Sequence, residues 1–394
     1  MTIGQGLRRR FGILGAASLI AGCGAGAGSV LVPPPTAAQQ ERQRQWRDAA
    51  NVFVTVPVPE AQPVPRPRSE APAGLQFRID RLVRGFPGKA GAAIVAVDEG
   101  WSVESGGTLS LPQQSVSKLW VAMTVLSQRD EGRLKLDDPI TVTRDDLTLF
   151  HQPIAGLVRG DGYHTTIGAL MTRALTQSDN TANDRLLTRV GGPAAVRAFI
   201  ADRQLGAIRF GPGERLLQAG TAGLTWNQSM ATGRGFEAAR ARLDPAVRAT
   251  AFQRYVNAPP DGAAPLAIAD ALARLARGEL LSETSTRMML DTMSRTVTGR
   301  ARLKAAIPSG WELAHKTGTG QDLNRRNAGF NDVGLVTAPD GRRYAIAVMI
   351  GDTTAPIRER QFLIQNVASA LTGSTPLRPI TIAGSAATED EGTD

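Results

Sequence analysis

Ser115 and Lys118, three residues apart in LPQQSVSKLWVAMTVL (residues 111–126), form the only S-x-x-K of a chain with just five lysines among 45 basic residues. A serine hydroxyl is a weak nucleophile at neutral pH and needs an adjacent base to take its proton. Residues three apart on a helix share a face, which puts the Lys118 amine beside the Ser115 hydroxyl. Arginine does not lose its proton at ordinary pH, so this position keeps an amine in a chain that otherwise favours arginine. Pro112, followed by polar Gln113 and Gln114, places Ser115 at a helix N-terminus, where the dipole favours developing negative charge. In isolation the pattern also describes an exposed helical serine near a lysine.

Two further segments add matching chemistry: Ser178-Asp179-Asn180 and Lys316-Thr317-Gly318. The Ser178 hydroxyl is suited to relay a proton to a leaving nitrogen, and the Asn180 amide to donate to a substrate carbonyl. The same three residues make a good helix N-cap. Lys316 offers a fixed positive charge for a substrate carboxylate. Gly318, without a side chain, lets a substrate backbone approach the edge of a strand.

S-x-x-K, S-D-N and K-T-G, in that order, resemble class A β-lactamases and penicillin-binding proteins. The likeness covers about residues 75–375 and extends to ALTQSDNTAND, LSETSTRMMLDTM, TGRARLKAAIPSGWELAHKTGTG and NDVGLV. It implies a serine hydrolase that opens a β-lactam amide through an acyl-enzyme on Ser115, with Lys118 and Ser178 as catalytic partners. Asn180, Lys316, Thr317, Gly318 and Thr319 become substrate-binding residues. The backbone N–H groups of Ser115 and Thr319 become the oxyanion hole, each such donor being worth about 3 kcal/mol in the transition state.

The resemblance also points to Glu214, in FGPGERLLQAG, as the residue that activates the hydrolytic water, with Gln218 where the family usually has an asparagine. Here the chain departs from the pattern. Pro212 replaces the usual arginine two residues before the glutamate, and the stretch 215–264 is much longer than usual. A solvated surface glutamate is the alternative reading of Glu214, and the insertion is expected to reshape the mouth of the pocket. Two other functions share the motifs: a D,D-peptidase or transpeptidase acting on peptidoglycan stem peptides, which needs no Glu214, and a penicillin-binding sensor that acylates without turning over.

Bulk properties fit an exported hydrolase. The chain has 394 residues and a net charge of +9, and its hydrophobic share of 42% is globular. Aromatics are only 5%, with no basic run interleaved by aromatic residues, so nucleic acid is not the expected partner. An anionic small molecule is a better use of the excess charge. LRRR (7–10), FGILGAASLIAG (11–22) and then Cys23 read as a basic, then apolar, export signal ending in IAGC, which resembles a bacterial lipobox. Lipidation at Cys23 would anchor the protein on the periplasmic side of a membrane. As the only cysteine, Cys23 has no intrachain disulfide partner. The three histidines, at 151, 164 and 315, show no metal-ligand spacing, so neither a metal nor an organic cofactor is expected. A monomer is expected.

The supporting elements follow from periodicity. Residues 1–22 are read as a signal peptide, 23–74 as a Pro/Gly-rich tether and 376–394 as a disordered tail. Leu75, Ile79, Leu82, Val83 and Phe86 share a helical face, and AGAAIVAVDEG reads as a buried strand. VSKLWVAMTVLSQRDEG is helical, with Val116, Leu119, Trp120, Met123 and Leu126 as its apolar face. Five more helices are expected between 165 and 296, then ELAHKTGTG as a strand and a hairpin turning at Asp340-Gly341. Strands at both ends with helices between give an α/β (α+β) fold of β-lactamase/transpeptidase type, an antiparallel sheet flanked by helices plus an all-α domain. The α/β part is expected at about 75–106 and 296–375, and the α part at about 107–295. His315, beside Lys316, is expected to face away from the site, and His151 and His164 to lie in loops around it.

Overall fold

Small and branched apolar residues at every position of KAGAAIVA suit a strand covered on both faces. In the computed structural model, which describes residues 36–38, 40, 41 and 69–375, Lys89–Ala96 is that strand, β1. The signal peptide, Cys23, most of the tether and the tail lie outside the described residues. Residues 37, 38, 40 and 41, in the unit that ends at Val64, are helical and exposed.

The unit from Pro65 onward opens with α1 (Leu75–Arg84), β1, β2 (Ser102–Ser105) and β3 (Leu111–Pro112). A single 3-10 turn, Gln114–Ser117, then leads into α2 (Lys118–Asp130). β4 (Pro139–Val142) and β5 (Tyr163–Thr166) pair as a small ribbon, followed by α3 (Ile167–Thr176), α4 (Asn180–Arg189) and α5 (Gly192–Asp202). The long stretch after Glu214 folds into α6 (Glu214–Thr221), α7 (Gly235–Ala241) and α8 (Pro245–Asn257), and β6 (Gly262–Ala263) pairs with β3. After α9 (Pro265–Ala276) and α10 (Glu283–Ser294) come β7 (Glu312–Thr319), the short β8 (Asp322–Leu323) and β9 (Arg326–Asn327), then β10 (Phe330–Thr337), β11 (Arg343–Asp352) and α11 (Ile357–Thr372). The helix starts are marked as the sequence suggests, with Thr166, Asp179, Asp244 and Ser282 each accepting a backbone N–H of the first turn.

Five strands form one antiparallel sheet in the order β2-β1-β11-β10-β7. Successive side chains alternate between two cores. Ala93, Val95, Ala347 and Met349 join the core that contains α2 and its neighbours, whereas Ala92, Ile94, Ile346 and Val348 join the core built with α1 and α11. The same alternation sorts β7: Ala314 belongs to the first core and Leu313 packs on the second, so Lys316 faces the helices. His315 faces the other way, buried, with Nδ1 2.8 Å from Asp332 Oδ1.

α2 differs from the expected amphipathic helix, because every residue from Lys118 to Gln128 is buried. Helices α3, α4, α5 and α10 pack around it, so it has no solvent face. Its polar side chains are satisfied locally: Thr124 donates to Trp120 O, Ser127 to Glu131, and Gln128 to Val190 O. The second difference is His164, which lies on strand β5 rather than in a loop, with Nδ1 2.9 Å from Thr141 Oγ1. Asp340-Gly341 does turn the β10–β11 hairpin, with Gly341 at φ 88°.

Asn331 of β10 ties the turn before α2 to the sheet. It is buried, donates to Pro112 O (2.8 Å) and Gln113 O (3.0 Å), and accepts from Ile350 N (3.1 Å). Asn331→Ala removes all three bonds from a dry interior, where each group left unpaired costs about 1–3 kcal/mol. Urea unfolding should therefore show a loss of about 2 kcal/mol or more, and a variant as stable as the parent would exclude this anchoring role.

Candidate active site

The 3-10 turn and the first residue of α2 set Ser115 and Lys118 side by side, with the Lys118 Nζ donating to Ser115 Oγ at 2.8 Å. Ser115 is half-buried and therefore reachable, while Lys118 is wholly buried. Ser115 thus sits in the turn that feeds the helix rather than at the first helical residue. Lys118 makes two more bonds, to Asn180 Oδ1 (2.9 Å) at the start of α4 and to Glu214 Oε1 at the start of α6. Three acceptors match the three protons of an ammonium group. Glu214 is buried and paired with Lys118, which removes the solvated-surface reading.

S-D-N plays both parts suggested by its sequence. Asp179 caps α4 by accepting from Ala182 N (2.9 Å), and its second oxygen takes Ile154 N (2.7 Å). Burial raises its carboxyl pKa. Ser178, at a left-handed φ of 61°, accepts a hydrogen bond of 2.8 Å from Lys316 Nζ. Such a backbone costs about 1–3 kcal/mol for a residue other than glycine and holds only where the surroundings fix it. Asn180 gives one amide proton to Leu149 O (2.9 Å), which leaves its other proton for a ligand.

Lys316 stands behind the wall of the cleft rather than in it. It is fully buried, bonded to Ser178 Oγ and Thr317 O, and its pKa is held well below the usual lysine value by burial and then by the charge of Lys118. The cations that line the cleft are Arg302 and Arg240. Arg302 donates to Gly318 O, Asn331 O and Thr319 Oγ1, lies over the Phe330 ring at 3.7 Å, and is lowered to about 10 by burial. Thr317 shares a 2.8 Å hydrogen bond with Thr298. Gly318 has an internal reason for lacking a side chain: a Cβ there would lie 2.4 Å from Gln113 O, in the turn that carries Ser115. Its role as a point of close approach therefore begins with the protein's own backbone.

The cleft has a volume of about 550 Å³ and brings Ser115, Ser178, Asn180, Glu214, Thr317 and Thr319 together. Phe150 and His151 form another part of its wall, His151 Nε2 lying 2.8 Å from Gln177 O; His164 is not among the lining residues. Arg240, on α7 of the long stretch after Glu214, reaches the cleft and donates to Asp322 O (2.9 Å), so the insertion does shape the mouth.

Several site residues carry no motif and are found only in the fold. Asp184 lies one helical turn after Asn180 and takes Glu214 N (2.9 Å) and Arg215 N (3.2 Å), capping α6 and fixing the glutamate. Gln218 Nε2 reaches Gln114 Oε1 (2.8 Å) and Glu214 Oε2 (3.4 Å), and Gln321 Nε2 donates to both oxygens of Gln218. Gln321 Oε1 is buried without a hydrogen-bond partner. Spacing could have found Asp184, since i and i+4 share a helix face. Nothing local marks Arg302 or Gln321. Among the described residues no group of His, Cys, Asp and Glu is arranged to hold a metal.

The sequence profile of the β-lactamase enzyme family matches residues 74–374. The chain belongs to that β-lactamase family. Membership makes it a serine hydrolase of β-lactam amides, with the α+β fold in which an antiparallel sheet is flanked by helices. Relatives of this β-lactamase include the extended-spectrum β-lactamase PER-1 of Pseudomonas aeruginosa, 30% identical over 75% of this chain and 85% of that protein. β-Lactamase VEB-1, also of Pseudomonas aeruginosa, is 26% identical over 75% of this chain and 88% of its own. Among solved structures, a β-lactamase from Chitinophaga pinensis aligns at TM-score 0.62 with 25% identity, over 76% of this chain and 99% of that one. The TLA-3 extended-spectrum β-lactamase aligns at TM-score 0.63 with 23% identity, over 76% and 97%, a likeness of fold.

Burial, followed by the charge of Glu214, raises the Asp184 carboxyl from 3.8 to about 6. A raised folded-state value means the folded protein holds this proton more tightly than the unfolded chain. The contribution to stability is full below about pH 4 and is lost as pH rises to about 6. Asp184→Asn abolishes that titration, whatever constant cost the lost hydrogen bond adds. The unfolding free energy of the variant relative to the parent should therefore rise between pH 4 and pH 6, by up to about 3 kcal/mol. A flat difference across that range, measured by denaturant unfolding, would show that Asp184 does not titrate there.

Proposed function

We propose that the protein hydrolyses β-lactams through an acyl-enzyme on Ser115, with Glu214 activating the water that releases product. The observation that carries this reading is the Lys118 amine, bonded at once to the Ser115 hydroxyl, Asn180 and Glu214. Lys118 passes a proton to Glu214, and the free amine takes the Ser115 proton as Oγ adds to the lactam carbonyl. The oxyanion is held by the backbone N–H groups of Ser115 and Thr319. As the C–N bond breaks, the ring nitrogen takes the Ser178 proton, Lys118 passes the proton it took from Ser115 on to Ser178, and Glu214 returns its proton to Lys118. The net result is transfer of the Ser115 proton to nitrogen, with Glu214 left ionised. Glu214 then takes a proton from water, whose oxygen attacks the ester, and Ser115 recovers its proton through Lys118.

The substrate carboxylate is met by the Thr317 hydroxyl and Arg302, with the charge of Lys316 behind them, and the substrate carbonyl by the free amide proton of Asn180 and by the edge of β7 at Gly318 and Thr319. The buried Lys118–Glu214 pair favours hydrolysis over a D,D-peptidase or a non-hydrolysing sensor, neither of which needs a carboxylate there. The α/β part at about 75–106 and 296–375 and the α part at about 107–295 are the two halves whose junction forms the cleft. Export and anchoring through a lipidated Cys23, on the periplasmic side of a membrane, rest on residues 7–23 of the sequence. Among the described residues no helix is long and apolar enough to cross a membrane. The protein is read as a monomer.

With a chromogenic cephalosporin, the parent should turn over many times per molecule. Ser115→Ala should show no turnover and no mass adduct. Glu214→Gln should accumulate an adduct on Ser115 while its turnover falls at least about a hundredfold, within the range of a lost general base; undiminished turnover would remove Glu214 from the mechanism. Cys23→Ser should move the protein from the membrane to the soluble fraction, and unchanged membrane association would rule out the anchor.

A further inference from the structure

Helix α8, inside the stretch that is longer than the family pattern, sends one side chain toward the catalytic turn. Tyr255 is buried, and its hydroxyl lies 3.0 and 3.2 Å from the two carboxylate oxygens of Asp261 and 2.6 Å from Gln114 Nε2. Gln114 immediately precedes Ser115, at a left-handed φ of 53°, and its own N–H is held by Asp261 Oδ2 at 2.8 Å. From Gln114 Oε1 the contacts continue through Gln218 Nε2 to Glu214 Oε2. A hydrogen-bonded chain thus links the insertion to both the residue beside the nucleophile and the glutamate.

The chain has one direction. A carboxylate only accepts, so Asp261 takes the phenol proton and the phenol oxygen must accept in turn. Gln114 therefore turns its NH2 toward Tyr255 and its carbonyl toward Gln218. Gln218 must then present its NH2 to Gln114 and Glu214, and its carbonyl to Gln321. The Gln114 orientation is set by Tyr255 and, at 3.4 Å, by Ala328 O, and the Gln218 orientation by Gln114 on one side and Gln321 on the other. α8 is held in place independently, by Phe252, Tyr255 and Val256 packed on Leu217 of α6 and on Ala328.

We infer that Tyr255 is a positioning residue for hydrolysis of the acyl-enzyme: through Gln114 and Gln218 its hydroxyl sets the side of the Glu214 carboxylate that receives a proton from water. This rests on the reading of Glu214 as the residue that activates water. Removing the hydroxyl leaves Gln114 Nε2 with Ala328 O at 3.4 Å as its remaining acceptor, so the Gln114 carbonyl is held less firmly against Gln218 Nε2. Gln218, still held at its carbonyl by Gln321, then loses part of what sets its NH2 beside the Glu214 carboxylate. Acylation, carried by Ser115, Lys118 and Ser178, makes no use of that orientation.

The test is Tyr255→Phe, which keeps the ring and its packing. With the chromogenic cephalosporin, kcat should fall about tenfold and KM by the same factor, leaving kcat/KM within about twofold of the parent. Mass spectrometry at steady state should show an adduct on Ser115 that the parent does not accumulate. In a Gln218→Leu background, which cuts the chain beyond Tyr255, the same substitution should have no further effect. A purely structural role would lower the melting temperature or the fraction of acylatable protein and leave kcat per acylated site unchanged; that result overturns the inference. So does a fall in kcat/KM with KM constant, which would place the effect on acylation. If Tyr255→Phe does not fold, Gln114→Met, which leaves the Tyr255–Asp261 pair intact, must show the same accumulation, and normal hydrolysis in it overturns the inference. A parent that never turns over, or a Glu214→Gln variant that does so freely, would instead sink the reading beneath. Turnover in the parent and a trapped adduct in Glu214→Gln, with normal kinetics in Tyr255→Phe, would sink only the role given to Tyr255.

Discussion

One buried ammonium group organises this molecule. Lys118 is removed from solvent and bonded to Ser115, Asn180 and Glu214, which come from three separate segments of the chain. Burying such a charge is costly unless it is paired and fully hydrogen-bonded, so each of the three partners must be brought within reach. The rest of the α-helical part is arranged to do this. α2 sits in the centre with no solvent face, α4 is capped by Asp179 so that Asn180 opens its first turn, and Asp184 on that helix caps α6 so that Glu214 opens the next.

The sheet supplies the opposite wall by its pleat. Because side chains alternate along β7, Lys316 meets Ser178 behind the wall of the cleft while His315 is sent to the far core beside Asp332. The sheet also holds the turn that carries Ser115, through the Asn331 side chain and through the close approach of Gly318 to Gln113 O. Burial, and then the charge of Lys118, makes Lys316 harder to protonate. An arriving carboxylate would offset that penalty, which is a physical basis for selecting anionic substrates. Arg302, which also braces β7 by its backbone, lines the cleft with Arg240.

The stretch after Glu214 extends this plan. It forms α7, which brings Arg240 to the mouth, and α8, which delivers Tyr255 to the buried polar chain behind Gln114. Asp261 closes that chain, its carboxyl raised to about 6 by burial while the Gln114 N–H and the Tyr255 hydroxyl pull the other way. The left-handed backbone at Gln114 is sustained by these fixed contacts.

Much of this was legible in the residues alone. Periodicity located α1, α2, α3, α4, α5, α9, α10 and the β10–β11 hairpin, because a 3.6-residue or two-residue repeat of apolar side chains is a local property, but it did not locate α6, α7, α8 or α11. The three motifs named Ser115, Lys118, Ser178, Asn180 and Lys316, because their chemistry requires those residue types at short spacing. Other features were decided only by the fold. Glu214 could be read as exposed until the structure buried it beside Lys118. Lys316 could be placed in the cleft until it proved to lie behind it. Asp184 had only its i+4 spacing from Asn180, and Arg302, Gln321 and Tyr255 bear no local signature, because what each does depends on a partner distant in sequence. Short-range pattern is written along the chain; burial and long-range hydrogen bonding exist only once the segments have packed.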